Sequence, residues 1–277
     1  MRKSPLDPGP DPWRPSPGRN IAGVLRRLLL VLFAAMSVAA PAALAEPTQV
    51  EVRVLARGAK FIGGYRDSMR IVLTDADTGE VLARGMTRGT TGDTQRILGS
   101  KQGGVDRLAT DDSAVFRATL DLARPRRVTV SATGPLSQPQ AATTVTSTQW
   151  ILPGRHLTAG DGWRLEVPGL IVGLASPAAY QWIAAGTTVP LRAAVTMMCG
   201  CPFSPDGPWR VDGLEVEAFL SVDGGRQERL ALTFDPASGL FGTDLRATAP
   251  GLYEVEIRAW MPSTNNAGVG RVAVFVR

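Results

Sequence analysis

The sequence predicts an all-β protein of two consecutive β-sandwich domains that follow a cleaved signal peptide. Apolar and polar residues alternate in many short runs, such as Gln49 to Val54 and Val115 to Leu120, which is the pattern of strands with one buried face. Turn signals such as Asp77-Thr78-Gly79 and Asp223-Gly224-Gly225 recur between the runs. No long window combines the apolar spacing of a helix with capping residues. Many short strands separated by turns are typical of sandwiches.

Residues 1–45 are predicted to be the signal peptide. Arg26-Arg27 precede the apolar run Leu28 to Ala40, and Ala43-Leu44-Ala45 provides the small residues of a cleavage site before Glu46. The run has about 13 residues, fewer than the roughly 20 that a membrane-spanning helix needs. An uncleaved anchor and twin-arginine export are the alternatives to ordinary export. We therefore expect a periplasmic or secreted protein with no membrane span after cleavage.

Removal of this leader brings the net charge close to zero. The full chain has 30 Lys and Arg residues against 25 Asp and Glu, and residues 1–45 contain six of the former and two of the latter. The remainder therefore has 24 basic and 23 acidic residues. The basic group that survives, Arg124, Arg126 and Arg127, is typical of a solvated edge. Nucleic acid is not an expected partner.

The boundary between the two domains is predicted near Pro168-Gly169, which gives a first domain at residues 46–167 and a second at 168–277. The pattern of the second domain predicts seven strands. They are Leu170 to Ala175, Val189 to Cys199, Gly213 to Val222, Glu228 to Phe234, Leu240 to Thr248, Leu252 to Trp260 and Gly270 to Val276.

Residues 249–257, Ala-Pro-Gly-Leu-Tyr-Glu-Val-Glu-Ile, resemble the entry into the sixth strand of bacterial immunoglobulin-like domains. The resemblance covers residues 168–277. It implies an immunoglobulin-like sandwich in which the corner tyrosine, Tyr253, bonds back to the upstream backbone. No cysteine follows Tyr253, so the usual disulfide between the sheets is not expected. The fold implies no particular ligand.

In the first domain, Ile71 to Ala83 is similar to a hairpin of transthyretin-like or carboxypeptidase-regulatory-like domains. That resemblance covers one hairpin. Residues 86–113, rich in glycine and polar residues, are predicted to form a long loop. Such a loop is either functional or a disordered connection.

Both cysteines of the chain lie in the stretch Met197-Met198-Cys199-Gly200-Cys201-Pro202, where a predicted strand runs into a loop. An exported protein with two cysteines normally forms a disulfide, although Cys-x-Cys closes a very small ring. A local disulfide that holds the loop, a soft-metal site for copper(I) and a redox-active pair all remain open. Zinc is disfavoured because the chain has no second Cys pair.

The topology of such a sandwich supports the copper(I) hypothesis. The loops that follow the second and the sixth strand lie at the same end. Cys199 and Cys201 are therefore expected near Met261 and near one of Met197 and Met198. The alternative for Met197 is an inward position in which it fills the core.

Further candidates lie near this stretch and elsewhere. Trp209 and Pro202 are predicted to bind a partner, and Trp209 alternatively shields a metal. His156, the only histidine, lies in a predicted loop and is expected to be solvated, with a metal contribution at the domain junction as the alternative. Five tryptophans suit either a sugar-binding face or the core, and the core is favoured for most of them. These are Trp150, Trp163, Trp182, Trp209 and Trp260.

No catalytic residue set is predicted. A Ser-His-Asp triad would need His156, and no serine stands in a Gly-x-Ser-x-Gly frame. We therefore expect an exported non-enzymatic binding module with copper(I) as its candidate ligand and a metal donor or acceptor protein as partner. One alternative is a structural or protein-interaction module of the cell envelope, with a Cys-x-Cys disulfide and an envelope protein as partner. The other is a thiol-redox protein.

Overall fold

The structure, a computed structural model, describes residues 44–64, 68–99 and 107–277. The predicted signal peptide therefore lies outside the described residues except at its end. Strands form where apolar and polar residues alternate along the chain. The strands are β1 (Glu46–Ala56), β2 (Arg70–Asp75), β3 (Val81–Met86), β4 (Phe116–Leu122), β5 (Arg126–Gly134), β6 (Thr143–Ile151), β7 (Trp163–Val167), β8 (Leu170–Ser176), β9 (Trp182–Ile183), β10 (Thr188–Met197), β11 (Glu215–Val222), β12 (Glu228–Ala231), β13 (Thr233–Asp235), β14 (Leu240–Arg246), β15 (Gly251–Met261) and β16 (Asn266–Val276). The helical segments of these ranges are α1 (Thr94–Gly99) and a 3-10 helix at Val211–Gly213.

The first sandwich consists of a three-stranded sheet in the order β4-β1-β7 and a four-stranded sheet in the order β3-β2-β5-β6. Strand β1 lies antiparallel to β4 and parallel to β7. Its alternate residues Val50, Val52 and Val54 are fully buried, in one apolar core with Ile71 and Val130 of the other sheet. Burial of a side chain of this size stabilises the fold by about 1.5–3 kcal/mol. The alternation that predicts the strand therefore also builds the core.

Strands β2 and β3 confirm the hairpin predicted within residues 71–83. The Asp75 carboxylate accepts hydrogen bonds of 2.9 Å from the backbone N–H groups of Asp77 and Thr78. Gly79 completes the turn with a left-handed φ of 77°, which glycine adopts readily. The bond from Thr78, followed by that from Asp77, holds the pKa of Asp75 below its ordinary range. The likeness to transthyretin-like domains stays a prediction.

The described parts of residues 86–113 pack and form hydrogen bonds with the rest of the chain. Helix α1 buries Ile97 in a small apolar cluster with Phe61. The Asp161 carboxylate accepts hydrogen bonds from the backbone N–H groups of Leu108, at 3.2 Å, and Ala109, at 2.9 Å. Sequence patterning missed this order because the contacts join residues far apart in the chain.

The second sandwich contains the seven predicted strands, with three differences. One sheet has the order β13-β14-β10-β8 and the other the order β12-β11-β15-β16-β9. The predicted strand Glu228 to Phe234 is divided between β12 and β13, which belong to different sheets. The predicted strand Val189 to Cys199 ends at Met197, where the chain turns. The short strand β9, which pairs with β16 in parallel, is an addition to the prediction.

Tyr253 in β15 forms the corner that the sequence resemblance implies. Its hydroxyl donates a 3.0 Å hydrogen bond to the carbonyl of Ala249 and accepts one of 3.2 Å from the N–H of the same residue. The strand order and this corner make the second sandwich an immunoglobulin-like fold. Both cysteines are bonded to each other within one turn, so the two sheets are held together by apolar packing, as the sequence predicts.

Each sheet takes its strands from one side of Pro168-Gly169. Residues Ala45–Arg277 nevertheless form one compact unit, and buried side chains of both sandwiches belong to a single apolar core. The proposed division into two domains stays a prediction. Across the described ranges, no helix has the length and apolar character that crossing a membrane requires.

Candidate functional site

Strand β10 ends in a tight turn that contains the sulfur-rich stretch. The backbone N–H of Met197 donates to the carbonyl of Cys201 at 3.0 Å, and the N–H of Gly200 donates to the carbonyl of Met197 at 2.8 Å. Gly200 has a left-handed φ of 72°, which is available to glycine without the steric cost of a side chain. Thr196 and Pro202 then pair as an antiparallel bridge. The chain therefore reverses direction directly after β10.

A disulfide joins Cys199 and Cys201 across this turn, with their Cα atoms 5.4 Å apart. The exposed fractions of the two residues are 3% and 8%, so the bond is part of the core. Of the three possibilities that the sequence leaves open, the local disulfide is the one present in the structure. Neither sulfur is a free thiolate in this state, so a copper(I) site or a redox function would have to start from the reduced pair.

Of the methionines predicted as soft ligands, Met197 and Met198 belong to this turn, and Met261 lies at the end of another strand. Met197 and Met198 are fully buried, and their side chains face different neighbours. The Met197 methyl group points to the turn at Gly58, and the Met198 sulfur lies against Gly169. Met261 is partly buried at the end of β15 and packs against the core. Met197 thus has the core position that was the alternative for it, and copper(I) ligation stays a prediction.

Trp209, which the sequence predicts to bind a partner, is buried within the chain. Its exposed fraction is 6%, and its indole N–H donates a 3.0 Å hydrogen bond to the carbonyl of Gly58, in the turn after β1. Its own carbonyl accepts a 3.0 Å bond from the N–H of Ser204, which closes the loop. Pro202 is exposed. Trp209 therefore connects the two sandwiches, and of this pair only Pro202 is accessible at the surface.

Asn266 makes a second connection between the sandwiches. Its fully buried side chain donates from Nδ2 to the carbonyl of Arg57 at 3.0 Å and accepts at Oδ1 from the N–H of Gly169, also at 3.0 Å. Thr264 places its methyl group against Gly58. Sequence reasoning missed Asn266 because its neighbours have the composition of an ordinary turn. We refer to the following residues as the junction: Arg57, Gly58, Gly169, Met197 to Cys201, Trp209, Thr264 and Asn266.

His156 lies at the other end of β1 from the junction. It is exposed, and its Nδ1 accepts a 3.1 Å hydrogen bond from the N–H of Gln49. From Gln49 to Ala56 the strand rises about 23 Å. This length of strand separates His156 from the sulfur-rich turn, and its alternative role as a metal ligand at the domain junction stays a prediction. Among residues 44–64, 68–99 and 107–277, no group of three or more His, Cys, Asp or Glu side chains is arranged to hold a metal ion.

The tryptophans divide differently from the expectation that most would be in the core. Trp163 and Trp209 are buried, whereas Trp150, Trp182 and Trp260 are exposed. The exposed fractions of Trp150 and Trp182 are 60% and 59%. An exposed tryptophan presents a large apolar surface to water, so the exposed positions are better candidates for binding than the buried ones.

Two of the carboxylates with lowered pKa values, Glu256 and Asp212, are ion-pair partners of arginines. Hydrogen bonds from Arg258, and then from Arg271, lower the pKa of Glu256 in β15. A hydrogen bond of 2.8 Å from Arg210 likewise lowers the pKa of Asp212, beside Trp209. Lowered values keep these groups ionised, whereas a carboxyl that acts as a general acid near neutral pH needs a raised one. Both carboxylates therefore serve the scaffold.

No protein-family model matches the chain, and no curated protein matches its sequence. Solved structures to which it is similar include the fibronectin(III)-like modules of Clostridium thermocellum CbhA, with 12% identity over 83% of this chain and 94% of that chain and a TM-score of 0.24. The titin domains z1z2 in complex with telethonin share 15% identity, with the same coverages and TM-score. BcpA, the major pilin subunit of Bacillus cereus, shares 9% over 83% and 69%, with a TM-score of 0.29. At such values these likenesses say nothing about function, and the fold assignment rests on the strand order and the tyrosine corner.

Proposed function

We propose that the chain is an exported, non-enzymatic module of the cell envelope with a structural and protein-interaction role. The observation that carries the proposal is the burial of the Cys199–Cys201 disulfide at the junction. Reactive cysteines of redox proteins lie in partly exposed surroundings, whereas this bond lies in the same apolar core as Met197 and Met198. Its role in this proposal is to hold the turn that connects the two sandwiches.

The short linker and the contacts of Arg57 beside it support a stiff connection. Only Pro168 and Gly169 separate β7 from β8, and a linker of that length leaves little freedom. The N–H of Arg57 donates a 2.9 Å bond to the carbonyl of Val167, and its guanidinium pairs with Glu166 at 2.7 Å. Two sandwiches connected in this way would keep a fixed orientation relative to each other when a partner binds their outer faces.

A count of free thiols in protein isolated from its native compartment tests the structural role of the disulfide. The expected count under denaturing conditions is zero before reduction and two after it. A native count of two would contradict the proposal and favour the copper(I) or thiol-redox alternative.

Site-specific photo-crosslinking in intact cells tests the interaction role. A photoreactive residue in place of Pro202, the exposed member of the predicted partner-binding pair, is expected to give a discrete product with an envelope protein. The same residue in place of Ser238, in the exposed turn before β14, is the matched control. Equal products at both positions, or none at Pro202, would count against this partner surface.

A further inference from the structure

Three aromatic side chains stack on the outer face of the five-stranded sheet. Phe275 in β16 pairs in register with Trp182 in β9, and their ring centroids are 4.9 Å apart at an interplanar angle of 27°. Tyr180 stacks on the same phenylalanine, with a centroid distance of 6.1 Å and an angle of 29°. The exposed fraction of Tyr180 is 70%. The stack therefore presents two broad aromatic surfaces to solvent.

The backbone holds Tyr180 in an unusual conformation. Its φ of 59° is left-handed, which is rare for a bulky side chain. The Tyr180 N–H donates a 2.7 Å bond to the carbonyl of Ala273, and the N–H of Phe275 donates a 2.9 Å bond to the carbonyl of Gln181. Conformations of this kind are concentrated at binding sites, where the surrounding structure enforces them. Tyr180 is thus fixed in an exposed position by main-chain bonds to β16.

An open cleft of about 340 Å³ lies beside Tyr180, within the range of small-ligand sites. Its lining includes two aromatic rings and several polar groups, which come from β11, β15, β16, the turn after β11 and the segment before β9. These are Tyr180, Phe219, Ser221, Gln227, Glu254 and Arg271. Hydroxyl, amide, carboxylate and guanidinium groups together offer both donors and acceptors of hydrogen bonds.

The charges around the cleft balance one another. Glu256 accepts hydrogen bonds from Arg258 at 2.6 Å and from Arg271 at 2.8 Å. The Arg258 guanidinium also lies 3.9 Å from the centroid of the Phe219 ring. With Glu254, these groups beside the cleft are two carboxylates and two guanidinium groups, so their formal charge is zero. The Arg277 guanidinium lies over the stack, 5.3 Å from the centroid of the Trp182 ring. This balance favours an uncharged ligand over a nucleic acid or a strongly charged peptide.

We propose that this face is a binding site for an uncharged polysaccharide. A sugar ring has a flat side of C–H groups, which the negative face of an aromatic ring attracts, and a rim of hydroxyl groups. The exposed ring of Tyr180 receives the flat side. Glu254, Gln227 and Arg271 bond to the hydroxyl groups in the cleft. The site goes beyond the structural and protein-interaction role proposed above.

Titration calorimetry with uncharged hexasaccharides tests the site. The panel consists of cellohexaose, maltohexaose, xylohexaose and mannohexaose, with polygalacturonate as the anionic control. At least one neutral member is expected to bind with a Kd of about 1 mM or tighter. Tyr180→Ala is expected to weaken that binding by about tenfold or more, and Tyr180→Phe, which keeps the ring, by less than about threefold.

Trp150→Ala is the matched control, because Trp150 is as exposed as Trp182 but lies in β6 of the first sandwich. It is expected to leave binding unchanged. If Tyr180→Ala lowers the melting temperature, Glu254→Ala, at an exposed position, provides the second variant, again with about a tenfold expected loss.

Four outcomes would overturn the site. They are no binding by any neutral member, binding of polygalacturonate alone, equal loss in Trp150→Ala, and self-association in sedimentation that Tyr180→Ala abolishes. The last result would identify the face as an interface between copies of the chain. None of these outcomes changes the free-thiol count, so failure of this site is distinguishable from failure of the structural role.

Discussion

The indole N–H of Trp209 and the main-chain carbonyl of Gly58 form a hydrogen bond of 3.0 Å between the two sandwiches. The residues are far apart in the sequence, and the tryptophan is buried. A buried carbonyl that loses its donor costs more than the net gain of an ordinary hydrogen bond, because it has already given up water. A single substitution that removes this bond should therefore lower the free energy of unfolding by a measurable amount.

Trp209→Phe is expected to destabilise the protein by about 1–3 kcal/mol, since the carbonyl of Gly58 loses its donor while an aromatic ring remains. Urea denaturation measures the change. Trp150→Phe, at an exposed position, is the control and is expected to change stability by less than about 0.5 kcal/mol. Equal effects of the two substitutions would mean that the Trp209 bond contributes nothing to the fold.

Asn266→Ala is expected to cost about 2–4 kcal/mol, because the N–H of Gly169 and the carbonyl of Arg57 both lose their buried partner. Asn265→Gly is the matched neighbour. Asn265 is exposed with a left-handed φ of 56°, a conformation that glycine adopts easily, so its stability is expected to stay near that of the parent. A small effect at Asn266 would show that water or backbone rearrangement replaces its bonds.

Removal of the disulfide by Cys199→Ala with Cys201→Ala is expected to lower stability by about 1.5–2 kcal/mol, the loop-entropy value for a very small ring. Dithiothreitol should lower the stability of the parent protein and leave that of the double variant unchanged. In the parent, the indole N–H resonance of Trp209, assigned through Trp209→Phe, is expected to shift on reduction. An unchanged resonance would mean that the disulfide does not influence the position of Trp209.

The Glu256 ion pairs predict acid sensitivity. Hydrogen bonds from Arg258, and then Arg271, lower the pKa of Glu256 in the folded state. Its stabilising contribution is therefore complete above the unfolded value of about 4.3 and is lost as the pH falls through the lower folded value. Denaturation midpoints between pH 6 and about pH 2 are expected to fall less steeply in Glu256→Gln than in the parent. Identical acid slopes would contradict this role.

The copper(I) hypothesis predicts that the reduced protein binds one equivalent of the metal anaerobically and that the oxidised protein binds none, because its sulfurs are bonded to each other. Competition with a chromophoric copper(I) chelator measures the stoichiometry. Cys199→Ser with Cys201→Ser should abolish binding, and Met261→Leu should weaken it. Unchanged binding in the cysteine variant would exclude the site.

The sequence alone was sufficient for the all-β class, for many of the strands and for the immunoglobulin-like second sandwich. Alternation such as Val50, Val52 and Val54 acts within one strand, because the burial of one face is decided residue by residue. The tyrosine corner at Tyr253 is also local, since its hydroxyl bonds only four residues upstream. Local features of this kind can be predicted from the sequence without knowledge of the rest of the fold.

The tertiary structure decided what the local pattern leaves open. The cysteines bond to each other in a buried turn, and Trp209 points into the junction instead of toward solvent. Asn266, a residue type common in turns, forms hydrogen bonds that join both sandwiches. Tyr180 is held against β16 in a left-handed conformation that the sequence pattern does not predict. Each of these outcomes depends on which backbone groups lie opposite a side chain after folding, and those groups come from distant parts of the chain.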